Sequence, residues 1–198
     1  LFFYTLQRIP LASAVTMQYL SPIFTTILGI FILKEKVRPI QFLYFAMAFA
    51  GVLIIQGFDP RVDALSAGMG LISALAAGIA YNMIRKLKTS EHPLVIVFYF
   101  PLVTMPVASI LMYFDWAMPS GWDWLILLWI GICTQSAQYF MTVAYQTGNL
   151  SRVSSLSYMG VLYALIFGFF LFGETFPFAS YIGMGLVLIG IFLNLRVK

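Results

Sequence analysis

The sequence ILGIFILKEK at residues 27–36 and the sequence IFGFFLFGET at residues 166–175 share one layout. Ile, Gly, Phe and Glu occupy the same offsets in both, and each apolar run stops at a glutamate, Glu35 or Glu174. The offset of 139 (174 minus 35) continues without a gap at Gln7 and Gln146, Leu11 and Leu150, Tyr19 and Tyr158, and Gly51 and Gly190. Glutamine and glutamate are uncommon in this chain, so these matches predict an internal duplication.

The composition indicates a membrane protein. Of the 198 residues, 62% are hydrophobic and 9% are charged, whereas a soluble domain has about 25% charged residues. The lipid bilayer is the solvent that accommodates so much apolar surface. The formal net charge of +4 does not indicate nucleic-acid binding, because the basic residues lie in short loops between apolar runs, as the positive-inside rule requires.

The apolar runs predict an all-α multi-pass membrane protein, since a spanning helix needs about 20 residues. We expect seven complete transmembrane helices plus the end of an eighth, which residues 1–7 would finish. The chain starts with Leu and shows no signal-peptide pattern, so we expect a longer segment before it. Prolines inside the runs predict kinks at Pro22, Pro101 and Pro106. The seven spans are 12–33, 39–57, 66–84, 94–114, 122–145, 152–173 and 177–195.

The basic residues predict the orientation of these spans. Nine of the eleven Lys and Arg residues fall in alternate loops, and the other two, Arg8 and Arg61, fall on the opposite side. The side with nine is expected to be cytoplasmic. We therefore predict a cytoplasmic-membrane protein whose C-terminus is cytoplasmic. The nine are Lys34, Lys36, Arg38, Arg85, Lys86, Lys88, Arg152, Arg196 and Lys198.

The duplication is inverted if the span count is correct. Glu35 ends one predicted span and Glu174 ends the fifth span after it, so the two glutamates would lie on opposite faces of the membrane. Inverted repeats of this kind recur in secondary transporters. A duplicated five-helix unit makes ten helices (5+5). Residues 1–57 would then be the end of the first repeat, with the tail of helix 3 and helices 4 and 5, and residues 66–195 the second repeat, with helices 6–10.

The same segments resemble a known family. LQRIPLASAVTMQYLSPIFTTILGIFILKEKVRPIQF with the following GVLII resembles the end of an EamA domain of the drug/metabolite transporter superfamily. YQTGNLSRVSSLSYMGVLYALIFGFFLFGETF with GLVLIGIFL resembles the same region of a second copy. The resemblance implies ten helices in two inverted halves and transport of small metabolites by alternating access. The chain departs from the family where Val161 replaces the proline of the ninth helix.

Polar side chains within the apolar runs are the candidate substrate-binding residues, because a polar group in the hydrocarbon usually faces the bundle interior or water. Gln18, Ser21 and Thr25 share one helical face, and Ser157 is the repeat equivalent of Gln18. We expect an uncharged, hydrogen-bonding lining near the midplane. Its candidates are Gln18, Tyr19, Ser21, Tyr81, Asn82, Gln135, Gln138, Tyr139, Ser154, Ser157 and Tyr158.

A structural role is the alternative for each of these residues. Ser and Thr in membrane helices often bond the carbonyl four residues earlier, and Gln often bridges helices. Glu35 and Glu174 are expected to set the turn before the next helix, with a gating contact as the alternative. The small residues Gly70, Ala74 and Gly78, and likewise Ala46 and Ala50, are spaced by four and predict close helix packing.

The sequence supports three classes of function to different degrees. The favoured one is a permease for a small organic metabolite, neutral or zwitterionic, which moves it across the bilayer by alternating access. A membrane enzyme finds no support, because the sequence shows no nucleophile motif, no His-rich or Cys-rich metal set and no deep acid–base pair. We accordingly predict no enzyme activity, no cofactor, no metal and no nucleic-acid partner. The third is a non-transporting membrane scaffold or a truncated remnant of a permease.

Overall fold

A computed structural model describes residue 8, residue 15 and the ranges 17–56, 64–114, 118–173 and 177–197. Within these residues the regular structure is entirely helical. The α-helices are α1 (Ser21–Ile32), α2 (Pro39–Gln56), α3 (Ala64–Lys86), α4 (Pro93–Phe114), α5 (Asp123–Thr147), α6 (Leu150–Leu156), α7 (Met159–Phe172) and α8 (Phe178–Arg196). A short 3₁₀ helix, Leu87–Thr89, extends the end of α3.

Five stretches of the described chain are long and apolar enough to cross a membrane. They are Ala64–Thr89, Pro93–Ile110, Asp123–Thr147, Leu150–Phe167 and Phe178–Arg196, while Ser21–Ile32 and Pro39–Ile55 are shorter apolar helices. The prediction of a helical membrane protein is therefore confirmed. The seven complete spans stay a prediction, and residues 1–7, on which the eighth rests, lie outside the described residues.

The predicted span 152–173 overlaps the membrane-capable stretch Leu150–Phe167, but it is not one unbroken helix. A turn at Ser157 and Tyr158 separates α6 from α7. Serine hydroxyls here bond backward along the chain, from Ser154 to the carbonyl of Leu150 at 2.6 Å and from Ser155 to that of Arg152 at 2.8 Å. Serine competes with the helix for backbone partners, so this serine-rich segment is interrupted without a proline.

A second interruption lies about 139 positions earlier in the chain, at Tyr19 and Leu20. Residues 17 and 18 are helical, Tyr19 and Leu20 form a turn, and α1 begins at Ser21 with Pro22 in its first turn. Proline lacks a backbone N–H and fits the first turn of a helix. The kink predicted at Pro22 is thus seen as a helix start. In contrast, α4 runs through Pro101 and Pro106.

The chain divides into two compact units. Unit 1 comprises residues 1–83 and 149–198, and unit 2 comprises residues 84–148. The core of unit 1 consists of side chains from α2, α7, α8 and the α6–α7 turn. They are Phe45, Ala48, Val52, Tyr158, Val161, Leu162, Val187 and Ile191.

Helices α2 and α8 form the most extensive helix pair among the described residues, and they run antiparallel. A methyl group built on Gly51 would lie 2.5 Å from the carbonyl oxygen of Gly183. One built on Gly190 would lie 2.8 Å from the carbonyl oxygen of Tyr44. Glycine lets the two backbones approach this closely, as is common between membrane helices.

The packing predicted from small residues is confirmed for one set and stays a prediction for the other. Gly70, Ala74 and Gly78 lie on the buried face of α3, and Gly78 packs against Phe24 of α1. Ala46 and Ala50 are exposed. The spacing of four identifies a face of a helix but does not say whether another helix covers it.

Unit 2 contains α4 and α5, which pack against each other. The guanidinium of Arg85 donates to the carbonyl oxygen of Gln146 at 2.6 Å and to that of Tyr145 at 3.3 Å. The side-chain amide of Gln146 donates to the carbonyl oxygen of Glu91 at 3.2 Å. A cation at the C-terminal end of a helix satisfies its last carbonyls and matches the helix dipole. These bonds hold the last turn of α5 within unit 2.

Candidate functional site

Tyr19 and Tyr158, which are 139 positions apart, stack on each other in unit 1. Their ring centroids are 5.8 Å apart and the ring planes differ by 23°. Tyr158 is fully buried and its hydroxyl has no hydrogen-bond partner among the described residues. Each ring sits in the turn that interrupts its own helical segment. Both tyrosines were predicted as candidate substrate-binding residues, but no sequence pattern indicated that they touch.

The polar residues predicted beside Tyr19 are largely engaged within unit 1. Gln18 accepts a hydrogen bond of 3.4 Å from the hydroxyl of Ser73 on α3. Thr25 donates to the carbonyl of Ser21 at 2.7 Å, and both residues are buried. This backward bond is the structural alternative expected for a membrane-helix threonine.

Ser154 and Ser157, both candidate substrate-binding residues, have different surroundings. Ser154 is fully buried and bonded to the carbonyl of Leu150. Ser157 follows the last residue of α6 and is exposed. Of the two hydroxyls, only that of Ser157 is open to a solute in this conformation.

Asn82 bridges two helices. Its side-chain amide nitrogen donates to the carbonyl of Thr25 on α1 at 2.9 Å and to that of Gly78 at 2.8 Å. Its amide oxygen is buried and has no partner among the described residues. Tyr81, the adjoining candidate, is half-buried. A contact from either side chain to substrate stays a prediction.

Unit 2 contains an open groove of about 560 Å³ between α4 and α5. Gln135 lines it, whereas Gln138 is not among its described lining residues. The groove is mainly apolar and aromatic, and Gln135, Ser136 and Tyr139 supply its polar atoms. Its lining is Leu94, Val97, Phe98, Pro101, Gln135, Ser136, Tyr139 and Phe140. An apolar cleft with a few polar groups is the usual form of a small-molecule site.

The residues that precede Glu35 and Glu174 in the sequence share a left-handed backbone conformation. Lys34 has φ of 55° and Gly173 has φ of 65°, and the two are again 139 positions apart. The backbone N–H of Glu35 donates to the carbonyl of Gly29 at 3.2 Å. Glu174 lies outside the described residues. The turn-setting and gating roles of the two carboxylates stay predictions.

A buried polar network in unit 1 was missed from the sequence. The side-chain amide of Gln41 donates to Ser151 Oγ at 2.8 Å and to Asn194 Oδ1 at 2.7 Å. Asn194 Nδ2 donates to the carbonyl of Ser151 at 3.3 Å. The network joins the ends of α2, α6 and α8. The available signal was an amide at the end of each of two apolar runs, in a chain with few amides.

Comparison with known proteins shows that the chain is similar to one family of transporters and to several named transporters. Residues 1–57 and 65–196 match the EamA-like transporter family. The chain is 30% identical over 190 residues to the pseudopaline exporter of Pseudomonas aeruginosa, covering 95% of this chain and 66% of that protein. It is 27% identical over 190 residues to the riboflavin transporter of Vibrio cholerae, covering 92% of this chain and 62% of that protein.

Two further likenesses extend this result. The chain is 26% identical over 193 residues to human solute carrier family 35 member G1, covering 88% of this chain and 52% of that protein. A solved crystal structure matches with a TM-score of 0.83 at 20% identity, covering 100% of this chain and 72% of that one; this likeness concerns the fold alone. The chain thus spans at most 66% of the length of these three curated relatives.

Proposed function

Because this chain belongs to the EamA-like transporter family, we propose that it is part of a permease that moves a small organic metabolite across the cytoplasmic membrane. The permease has ten helices in two inverted repeats and works by alternating access. The two bacterial relatives whose names specify a solute, a pseudopaline exporter and a riboflavin transporter, support an organic solute.

The pairing of residues within the core of unit 1 carries this proposal. The core and the side chains packed on it contain both members of five pairs that are 139 positions apart. A segment and its repeat that meet through equivalent residues on antiparallel helices are related by an approximate twofold axis. Such an axis is the mark of an inverted-repeat transporter. The pairs are Tyr19 and Tyr158, Ile23 and Leu162, Phe45 and Met184, Ala48 and Val187, and Val52 and Ile191.

The interrupted helices support alternating access. The breaks at Tyr19–Leu20 and at Ser157–Tyr158 lie at equivalent places on the two sides of the stacked tyrosines. Broken helices near the midplane are where transporters bind solutes and bend. We therefore propose the Tyr19–Tyr158 pair as the pivot of unit 1.

The groove of unit 2 is our candidate solute contact. Phe98 and Tyr139 offer ring faces, and Gln135 offers an amide that can both donate and accept. Its described lining residues carry no charge. A neutral or zwitterionic solute with a planar apolar part therefore suits this groove better than a highly charged one.

The proposed orientation follows from the loops. The loop at residues 85–92 carries Arg85, Lys86 and Lys88, and the loop at residues 115–122 carries no Lys or Arg. We propose that the first loop is cytoplasmic and the second lies outside. The C-terminus would then be cytoplasmic.

Transport by the natural full-length protein in proteoliposomes tests the proposal. We expect movement of at least one neutral or zwitterionic organic solute, in either direction, above empty liposomes. Transport of highly charged solutes alone would contradict the proposed solute class. No transport from a broad solute panel would favour a scaffold.

Two single substitutions on α5 test whether an effect on transport comes from the groove or from the helix in general. Gln135→Ala removes an amide from the groove and is expected to reduce kcat/KM about three- to tenfold, the loss of one neutral hydrogen bond. Gln138→Ala, on the same helix and outside the described lining, is the matched control and should change transport less. Equal effects from the two substitutions would remove the groove as the candidate site.

A further inference from the structure

Unit 1 has a second polar site, at the ends of α2, α6 and α8. It is a pocket of about 400 Å³, and the solute groove belongs to the other unit. Three of its lining side chains are cations, Lys36, Arg38 and Arg152, and its described lining contains no carboxylate. The full described lining is Lys36, Val37, Arg38, Gln41, Asn149, Arg152 and Val197.

Hydrogen bonds of Gln41 hold the wall of this pocket. Gln41 accepts a hydrogen bond of 3.1 Å from the backbone N–H of Arg38, which satisfies an unpaired donor at the start of α2. Through its amide nitrogen it also holds Ser151 and Asn194. The pocket wall is therefore tied to α6 and α8 by the buried network.

The cations are placed without neutralising partners in the described lining. The guanidinium of Arg152 donates to the carbonyl of Val197, which orients it and leaves further N–H donors of the fork available. Lys36 and Arg38 are exposed side chains at the positive end of α2. Three cationic side chains and no carboxylate are in the described lining, so the pocket suits an anion, and its volume admits a small anionic group.

The position of the pocket indicates where such an anion comes from. It lies at the ends of helices that are apolar along their length, and therefore at the level where a bilayer presents its headgroups. Basic pockets between membrane helices suit the phosphates of anionic lipids. Arg and Lys bind phosphate oxygens through charge-assisted hydrogen bonds.

We propose that this pocket binds a phosphate group, and that the group is the headgroup phosphate of an anionic phospholipid in the adjoining leaflet. The lipid would hold the ends of α2, α6 and α8 together from the membrane side. This site is independent of the solute groove and of any particular solute.

Native mass spectrometry of the natural full-length protein, released from nanodiscs of phosphatidylcholine with added phosphatidylglycerol, tests the site. We expect retention of phosphatidylglycerol in preference to phosphatidylcholine. The double substitution Lys36→Gln with Arg38→Gln should weaken that retention by about 25-fold, from about fivefold for each cation removed. Both side chains are exposed, and their charged groups make no described fold contact.

Lys86→Gln with Lys88→Gln is the matched control, because it removes the same charge from residues outside the pocket. It should leave retention near that of the unsubstituted protein. An equal loss of phosphatidylglycerol retention in the control would mean that the effect comes from net charge alone, and it would overturn the proposed binding site. The two double variants should have the same unfolding midpoint in pure phosphatidylcholine nanodiscs. A lower midpoint for Lys36→Gln with Arg38→Gln would mean that these substitutions weaken the fold itself, and it would overturn the interpretation that they act through lipid binding.

Inorganic phosphate, added to the protein in detergent, separates the two sources of phosphate. A lipid site is supported if phosphatidylglycerol stabilises the protein more than inorganic phosphate does, and if this extra stabilisation is lost in the variant Lys36→Gln with Arg38→Gln. Equal stabilisation by phosphate, with no preference for phosphatidylglycerol in nanodiscs, would assign the pocket to a soluble phosphate and overturn the lipid assignment.

Discussion

Lys34 and Gly173 are single residues that end α1 and α7 in the same left-handed conformation, with φ of 55° and 65°. Glycine adopts this conformation without a steric penalty, whereas a residue with a Cβ is strained in it. Lys34 therefore holds a position that favours glycine, and the residue 139 positions later, Gly173, is a glycine. The side chain of Lys34 is exposed, so the strain is local to the backbone.

Lys34→Gly is expected to raise the free energy of unfolding by about 0.5–1 kcal/mol by removing this strain. Lys34→Ala, which removes the charge and keeps the Cβ, is the control and should have little effect or a small opposite one. Gly173→Ala should lower stability by about 1 kcal/mol. Thermal unfolding of the purified protein measures all three, and no gain from Lys34→Gly would count against the left-handed turn.

At the scale of elements, α2 and α8 depend on glycine contacts that repeat at the offset of 139. Gly51 faces the carbonyl of Gly183, and Gly190 faces the carbonyl of Tyr44. These obstacles are backbone atoms, so a larger residue forces the helices apart. In contrast, Gly185 lies on α8 with open space where a Cβ would be.

Gly51→Ala is expected to destabilise the fold by about 1–3 kcal/mol, the usual cost of overpacking a close contact. Gly185→Ala is the matched control on the partner helix and should be neutral or slightly stabilising, because alanine favours helix more than glycine does. The unfolding midpoints of the two variants in the same detergent measure the difference. A loss from Gly185→Ala as large as that from Gly51→Ala would contradict the described α2–α8 contact.

At the scale of the whole molecule, the proposal depends on an odd number of spans between repeat equivalents. The loops flanking α4 differ in charge, since Lys86 and Lys88 precede the helix and no Lys or Arg lies between it and α5. If α4 crosses the membrane once, these two loops lie on opposite faces.

Site-directed labelling measures this directly. In a Cys133→Ser background, Lys88→Cys should react with a membrane-impermeant maleimide only from the cytoplasmic side, and Ser120→Cys only from the outside. Lys88 lies in the exposed 3₁₀ helix before α4, and Ser120 lies in the exposed segment before α5. Reaction of both from one face would disprove the crossing of α4 and the inverted count. Reaction of each from the opposite face to the one expected would reverse the proposed orientation.

Much of the architecture was predictable because it depends on local composition. The observed helices Ala64–Lys86, Pro93–Phe114, Asp123–Thr147 and Phe178–Arg196 correspond to predicted spans. The break at Ser157–Tyr158 was not predictable from a proline signal, because Val161 stands where the family has proline. There the hydroxyls of Ser154 and Ser155 donate to the carbonyls of Leu150 and Arg152, earlier in the same segment.

The candidate site was less predictable, since polar side chains in apolar helices have two uses. Asn82 and Gln135 look alike in the sequence, but Asn82 bridges to α1 and Gln135 lines an open groove. The pairing of Gln41 with Asn194 joins residues 153 positions apart, and no pattern in either segment specifies the other.

Local sequence is enough to identify a helical membrane protein and the family that it resembles, and it predicts two related segments. Hydropathy and an ungapped offset are properties of consecutive residues, and the bilayer acts on each helix separately. The stacking of Tyr19 on Tyr158, the contact of Gly51 with Gly183 and the hydrogen bond from Gln41 to Asn194 are visible only in the folded chain. Such contacts depend on how closely helices approach and on which faces they turn to each other, and packing between distant segments sets both.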